Sequence, residues 1–210
     1  MDNNFRDTAS SLVEMGRSFY ARGWMLGTAG NFSAVLSRDP LRLAITPSGA
    51  DKGEIRAEQI LEIAWPNLSG HDLLRKPSAE TLLHVEVVLA RDAGAVLHTH
   101  SVWSTIVSDQ YSAAGGIMLE GFEMLKGLEG VKSHEHREWL PIMENSQDMP
   151  ALAAKVSRVL REHSAAHAFL IRRHGLYTWG ANLAQAKRHV EILEFLLETA
   201  GRLALRPPHV

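Results

Sequence analysis

The chain has 210 residues, 45% of them hydrophobic and 22% charged, which is the balance of a globular protein with one sizeable core and excludes a disordered or coiled-coil chain. Its net charge of -2 gives no electrostatic footprint for nucleic acid, and no apolar run reaches membrane-spanning length. With no cysteine, disulfides and thiolate ligands are excluded, so any zinc must be held by histidine and carboxylate.

A first helix is predicted over residues 5–22. Phe5, Ala9, Leu12, Val13, Gly16, Phe19 and Tyr20 fall on one stripe, and Gly23 is placed to end it. The small-residue loop Gly27-Thr28-Ala29-Gly30-Asn31 opens into a strand at 32–36, whose partner is the alternating stretch 41–45. Thr46-Pro47-Ser48-Gly49 is a turn. A further strand at 60–65 is closed by Pro66-Asn67 and Ser69-Gly70. A second helix is expected from Ser78, as its N-cap, to residue 91. An apolar run then leads into Val96-Leu97-His98-Thr99-His100, which reads as a buried strand.

Residues 101–110 read as helix, 120–128 as helix or tight turn, 130–138 as loop and 140–143 as a short edge strand. The third long helix is expected at 149–162, with Pro150 in its first turn. Strands at 168–171 and 176–179 bracket His174, and the last helix begins at Asn182 with Gln185 three residues on. Strands in pairs, with helices before, between and after, predict one α+β domain over 1–210. Its mainly antiparallel sheet would be covered by helices on both faces, in three layers. The polar, acidic N-terminal stretch is unlike a signal peptide, and a cytoplasmic protein is expected.

Side chains alternate across a strand, so His98 and His100 share a face, spaced to hold one metal ion. His174, where an apolar run breaks before Gly175, is the best third ligand, and three histidines with an open position make a catalytic zinc pattern. The loop at 27–31 can close backbone N–H groups on an anion, with Ser48 and Gly49 adding donors; both stretches also read as ordinary turns. Glu80 and His84 are four apart on one helix face, either near a metal or as a solvated pair. Glu123, between Phe122 and Met124, is a surface carboxylate unless burial raises its pKa towards acid–base use. His134-Glu135-His136 has metal-like spacing, but its charged surroundings read as a solvated loop.

Taken in order, Gly27-Thr28-Ala29-Gly30-Asn31-Phe32-Ser33, Thr46-Pro47-Ser48-Gly49, Lys76-Pro77-Ser78-Ala79-Glu80, His98-Thr99-His100 and Arg173-His174-Gly175 resemble the class II aldolase/adducin-like family over nearly the whole chain. Phe122-Glu123-Met124-Leu125-Lys126-Gly127 and Arg172-Arg173-His174-Gly175-Leu176-Tyr177-Thr178-Trp179-Gly180 look most like the branch that dehydrates 5-methylthioribulose 1-phosphate in methionine salvage. The resemblance implies a central antiparallel sheet with one Zn2+ per subunit on His98, His100 and His174. It also implies a homotetramer with active sites near subunit interfaces, and Glu123 as the catalytic acid/base. In this reading Gly30, Asn31, Ser48, Gly49 and Ser78 hold the substrate phosphate, and Lys126 neutralises charge. Glu80 matches the position of the aldolase carboxylate, and serves either as an alternative acid/base or as support to a metal ligand. The rival reading is a sugar-phosphate aldolase or epimerase using the same zinc.

Overall fold

Side-chain alternation sorts the core onto the two faces of one sheet. The computed structural model describes residues 3–66 and 76–205, so the turn expected at Asn67 and Ser69-Gly70 lies outside the described residues. The first half of the chain holds α1 (Asn3–Ala21), β1 (Asn31–Arg38), β2 (Leu41–Ile45), β3 (Leu61–Ala64), α2 (Thr81–Arg91), β4 (Ala95–Thr99) and α3 (Val102–Gln110). The second holds β5 (Gly116–Glu120), β6 (Arg137–Met143), α4 (Met149–Glu162), β7 (Ala168–Ile171), β8 (Gly175–Gly180) and α5 (Leu183–Ala204). The eight strands lie in the order β3-β2-β1-β4-β8-β7-β6-β5, and every neighbouring pair is antiparallel except β6 and β7. The expected α+β architecture, a mainly antiparallel sheet between helical layers, is the one observed.

On β4, Val96 packs with α2 and α4, while Ala95 and Leu97 face α1 and α5. On β7, Phe169 and Ile171 take the first face, and Ala168 and Leu170 pack against α5 and α3 on the other. Both faces being covered, β4, β7 and β8 are buried from end to end. Helix ends follow local chemistry. Ser101 accepts from the N–H of Ser104 at 2.9 Å, Asp148 from Ala151 at 3.0 Å and Asn182 from Gln185 at 2.9 Å. Gly23, in the left-handed region at φ 75°, ends α1. Among the described residues no helix is long and apolar enough to cross a membrane.

Three expectations are corrected. Ser78 is not the cap of α2, which starts at Thr81 after Glu80. Pro77 is bridged to Pro47, holding the chain extended there, and Ser78 Oγ accepts instead from the Glu80 N–H at 3.2 Å. The strand expected at 140–143 is longer and not at the edge: β6 pairs with β5 from Arg137 to Pro141 and with β7 at Ile142 and Met143, and β5 holds the edge. The loop expected at 130–138 ends where β6 begins at Arg137.

Candidate metal centre

The three histidines meet where β4 and β8 end on the α2 side of the sheet. His98 lies in β4, two residues before His100, and His174 stands immediately before β8. His98 Nε2 is 2.8 Å from His100 Nε2 and 3.3 Å from His174 Nε2. The remaining nitrogen of His98, Nδ1, donates to the Leu176 carbonyl at 2.9 Å, since a carbonyl can only accept. Nε2 of the neutral ring therefore presents a lone pair to two other imidazole nitrogens. Nitrogens bound about 2.0–2.1 Å from a tetrahedral ion lie about 3.3 Å apart, so this donor set fits a divalent metal. The ring of His98 stacks on Tyr177 at 3.8 Å, and Tyr177 stacks on Phe169 at 4.9 Å, which fixes its plane from beneath. Gly175 is required here, because a Cβ on it would stand 2.0 Å from the Thr99 carbonyl oxygen.

Burial, and then the neighbouring His100, push the His98 pKa well below its usual value. Burial and His174 bring that of His100 down to about 4. Both rings are thus neutral at physiological pH, the protonation state a ligand needs.

Glu80, at the start of α2, completes the cluster. Its Oε1 is 3.1 Å from His174 Nε2 and its Oε2 3.7 Å from His98 Nε2. Asn31 donates to Oε2 at 2.6 Å. Burial opposes the carboxylate charge, but the hydrogen bond with His174, the adjacent imidazoles and Asn31 hold its pKa well below the usual range. His84, one turn on, does not approach the metal site. It is buried against Ser33 Oγ at 2.7 Å and the Asn31 side-chain oxygen, and burial brings its pKa down to about 4.

A cleft of about 300 Å³ opens over His100, His174 and Glu80. Thr28, Gly30, Asn31, Ser48, Gly49 and Ser78 line it, so the two turns and the α2 entry converge beside the histidines. The Ser48 N–H bonds the Lys76 carbonyl at 3.0 Å, pinning the 46–49 turn to the α2 entry. Asn31 is not a free donor, since its amide group is shared by Ser78, Glu80 and His84. Gly30 sits at φ 68°, and a Cβ on it would meet Met25 at 2.3 Å and the His98 carbonyl at 2.5 Å.

Two side chains lie elsewhere within the chain. Glu123 opens a 3-10 turn, Glu123–Gly127, that follows β5 and packs against α5 through the buried Leu125, with its own side chain 73% exposed. It pairs with Lys126 at 2.8 Å, and that hydrogen bond pulls its pKa down, which agrees with the surface reading of Glu123 and not with the buried one. Neither Glu123 nor Lys126 lines the cleft.

Sequence reasoning missed Lys52, Tyr177 and Glu194. Lys52 is 1% exposed, and its ammonium donates to the carbonyls of Ala50 at 2.7 Å and Thr28 at 3.0 Å. Burial brings its pKa down to about 8. Between Asp51 and Gly53 it has the look of a surface lysine, and only the fold turns it inward. Glu194 of α5 accepts from Thr99 Oγ1 at 2.5 Å, gripping the residue between the two histidines of β4. His136, expected in a solvated loop, instead bonds the buried Glu138 at 2.8 Å.

Residues 10–200 match the family model of the class II aldolase and adducin N-terminal domain. The chain belongs to that family. A methylthioribulose-1-phosphate dehydratase of Methylococcus capsulatus is 44% identical over 205 residues, covering 96% of this chain and 97% of its own. One from Alcanivorax borkumensis is 45% identical over 195 residues, covering 92% and 90%. Among solved class II aldolase-like structures, YgbL from Klebsiella pneumoniae superposes with a TM-score of 0.77 at 25% identity, over 97% of this chain and 92% of its own.

Proposed function

We propose that this chain, as one domain, is a zinc-dependent hydro-lyase of the cytoplasm that converts 5-methylthioribulose 1-phosphate to 2,3-diketo-5-methylthiopentyl 1-phosphate in methionine salvage. The observation that carries the reading is identity of 41–45% over most of the chain to relatives bearing the dehydratase name. The convergence of His98, His100 and His174, the last two at the floor of the cleft, supports it. A bound divalent ion on these three histidines supplies Lewis-acid polarisation of the substrate carbonyl.

Dehydration removes the C3 proton and the C4 hydroxyl, which leave together as water. Glu123 is the acid/base of this reading: it accepts the C3 proton as a carboxylate and returns it to the departing hydroxyl. Exposed and outside this chain's own cleft, it would serve the cleft of a neighbouring copy in an oligomer such as the homotetramer. Glu80 orients His174 and, with Asn31, holds negative charge beside the ligand set. The hydroxyls of Thr28, Ser48 and Ser78, with the backbone N–H groups of the 27–31 loop and Gly49 that face the cleft, hold the phosphate. Lys52 takes the part expected of Lys126, being the only lysine or arginine among the described residues that line the cleft.

The placement of Glu80 in the cleft favours a second reading, aldol cleavage of the C3–C4 bond of a sugar phosphate. Incubating the zinc-loaded protein with 5-methylthioribulose 1-phosphate tests both. A diketone product supports the dehydratase, and cleavage fragments without diketone support the aldolase.

A further inference from the structure

The opposite end of the sheet carries a second convergence of ligand atoms. His136 stands immediately before β6 and Glu138 two residues on, the same alternate spacing that pairs His98 with His100. His167 immediately precedes β7, which runs parallel to β6. Glu138 is 1% exposed. Its Oε2 lies 2.8 Å from His136 Nε2 and 3.0 Å from His167 Nδ1, and its Oε1 accepts from the His167 backbone N–H at 2.9 Å.

The far side of the His167 ring fixes what the near side presents. Nε2 is 2.9 Å from the Glu129 carbonyl, which can only accept, so Nε2 carries a proton. In the neutral ring Nδ1 then turns a lone pair onto a carboxylate oxygen. Two acceptors at 3.0 Å require a cation between them, either a proton or a metal. His98 shows the same device, one ring nitrogen tied to a carbonyl and the other left for a ligand role. The third donor, His136, is half-buried and borders a cavity of about 260 Å³, which gives an ion a way in and room for water ligands.

We propose that His136, Glu138 and His167 form a second divalent transition-metal site, with two imidazole nitrogens and a carboxylate oxygen on one side of the ion and water on the other. Two histidines and one carboxylate suit Zn2+, Co2+ or Fe2+ better than Mg2+ or Ca2+. The site is a clamp. The stretch between the Glu123 turn and β6 is tied here to the start of β7 through the Glu129 carbonyl on His167, and to α5 through the Glu129 N–H on His189 at 3.1 Å.

The test is metal stoichiometry. Chelator-stripped full-length protein is titrated with Zn2+ by calorimetry, and with Co2+ by visible absorption. The wild type should take two equivalents per chain. His136→Ala and His167→Gln should each keep one equivalent, on the first site, and bind the other about tenfold or more weakly. The retained equivalent reports that these variants are folded, and His136→Ala removes a side chain from the rim rather than the core. Saturation of the wild type at one equivalent would overturn the proposal and leave a histidine–carboxylate ion pair. So would a second equivalent whose affinity is unchanged in both variants.

Discussion

Replacing Glu194 by Gln should change how stability depends on pH, by an amount the structure sets. Glu194 lies under β4, buried, accepting from Thr99 at 2.5 Å. Burial pushes its pKa from 4.5 up to about 7, and hydrogen bonds from Ser101 and Thr99 offset this only in part. The unfolded chain releases this proton near pH 4.5, whereas the folded chain keeps it to about pH 7. Between those values the folded state binds more protons, so this group's contribution to stability falls as pH rises and levels off above about pH 7. The gap between 4.5 and about 7, at about 1.4 kcal/mol per pH unit, is worth about 3 kcal/mol. Gln keeps the shape and the acceptor for Thr99 but does not ionise. Urea unfolding of chelator-treated wild type and Glu194→Gln, from about pH 4 to pH 8, reads the difference. The variant should gain about 3 kcal/mol on the wild type over that range. Stability curves that run parallel would refute the argument and show that the carboxyl ionises normally in the fold.

The His98→Ala, His100→Ala double variant should lose turnover and one equivalent of bound metal while its circular dichroism stays native; full metal content would remove the assignment. Glu80→Gln should weaken metal at this centre about 10–100-fold, read by dialysis against a graded chelator series, because the carboxylate beside His98 and His174 loses its charge. Gly175→Ala should cost about 1–3 kcal/mol in urea unfolding, since its Cβ meets the Thr99 carbonyl at 2.0 Å; an unchanged midpoint would contradict that contact. Lys52→Met should raise KM about tenfold or more for the phosphorylated substrate and little for its dephosphorylated counterpart, and equal effects on the two would remove Lys52 from the phosphate site.

What the sequence by itself determined is local. Apolar runs, caps and glycine breaks mark α4, β2 and β7 at their observed bounds, because helix and strand periods are written in neighbouring residues. The His98–His100 pair is legible for the same reason: alternation along one strand puts both on one face. The ligand set, the two turns and the α2 entry were recognisable as separate motifs. Only the tertiary structure decided which of them meet. Antiparallel pairing of β4 with β1 and β8 brings Asn31 beside His98 and His174 beside both strand ends, and the Pro47–Pro77 bridge swings Glu80 over them. Glu123 and Lys126 look alike in sequence to residues of the cleft, yet their turn packs against α5 and neither lines the cleft, while Lys52 is folded inward. His136 was lost to sequence reasoning because its partners, Glu138 and His167, come together only through the parallel pairing of β6 and β7. Burial and charge environment are sums over residues distant in the chain, so the pKa of Glu194 or Lys52 exists only once the fold has brought those residues together.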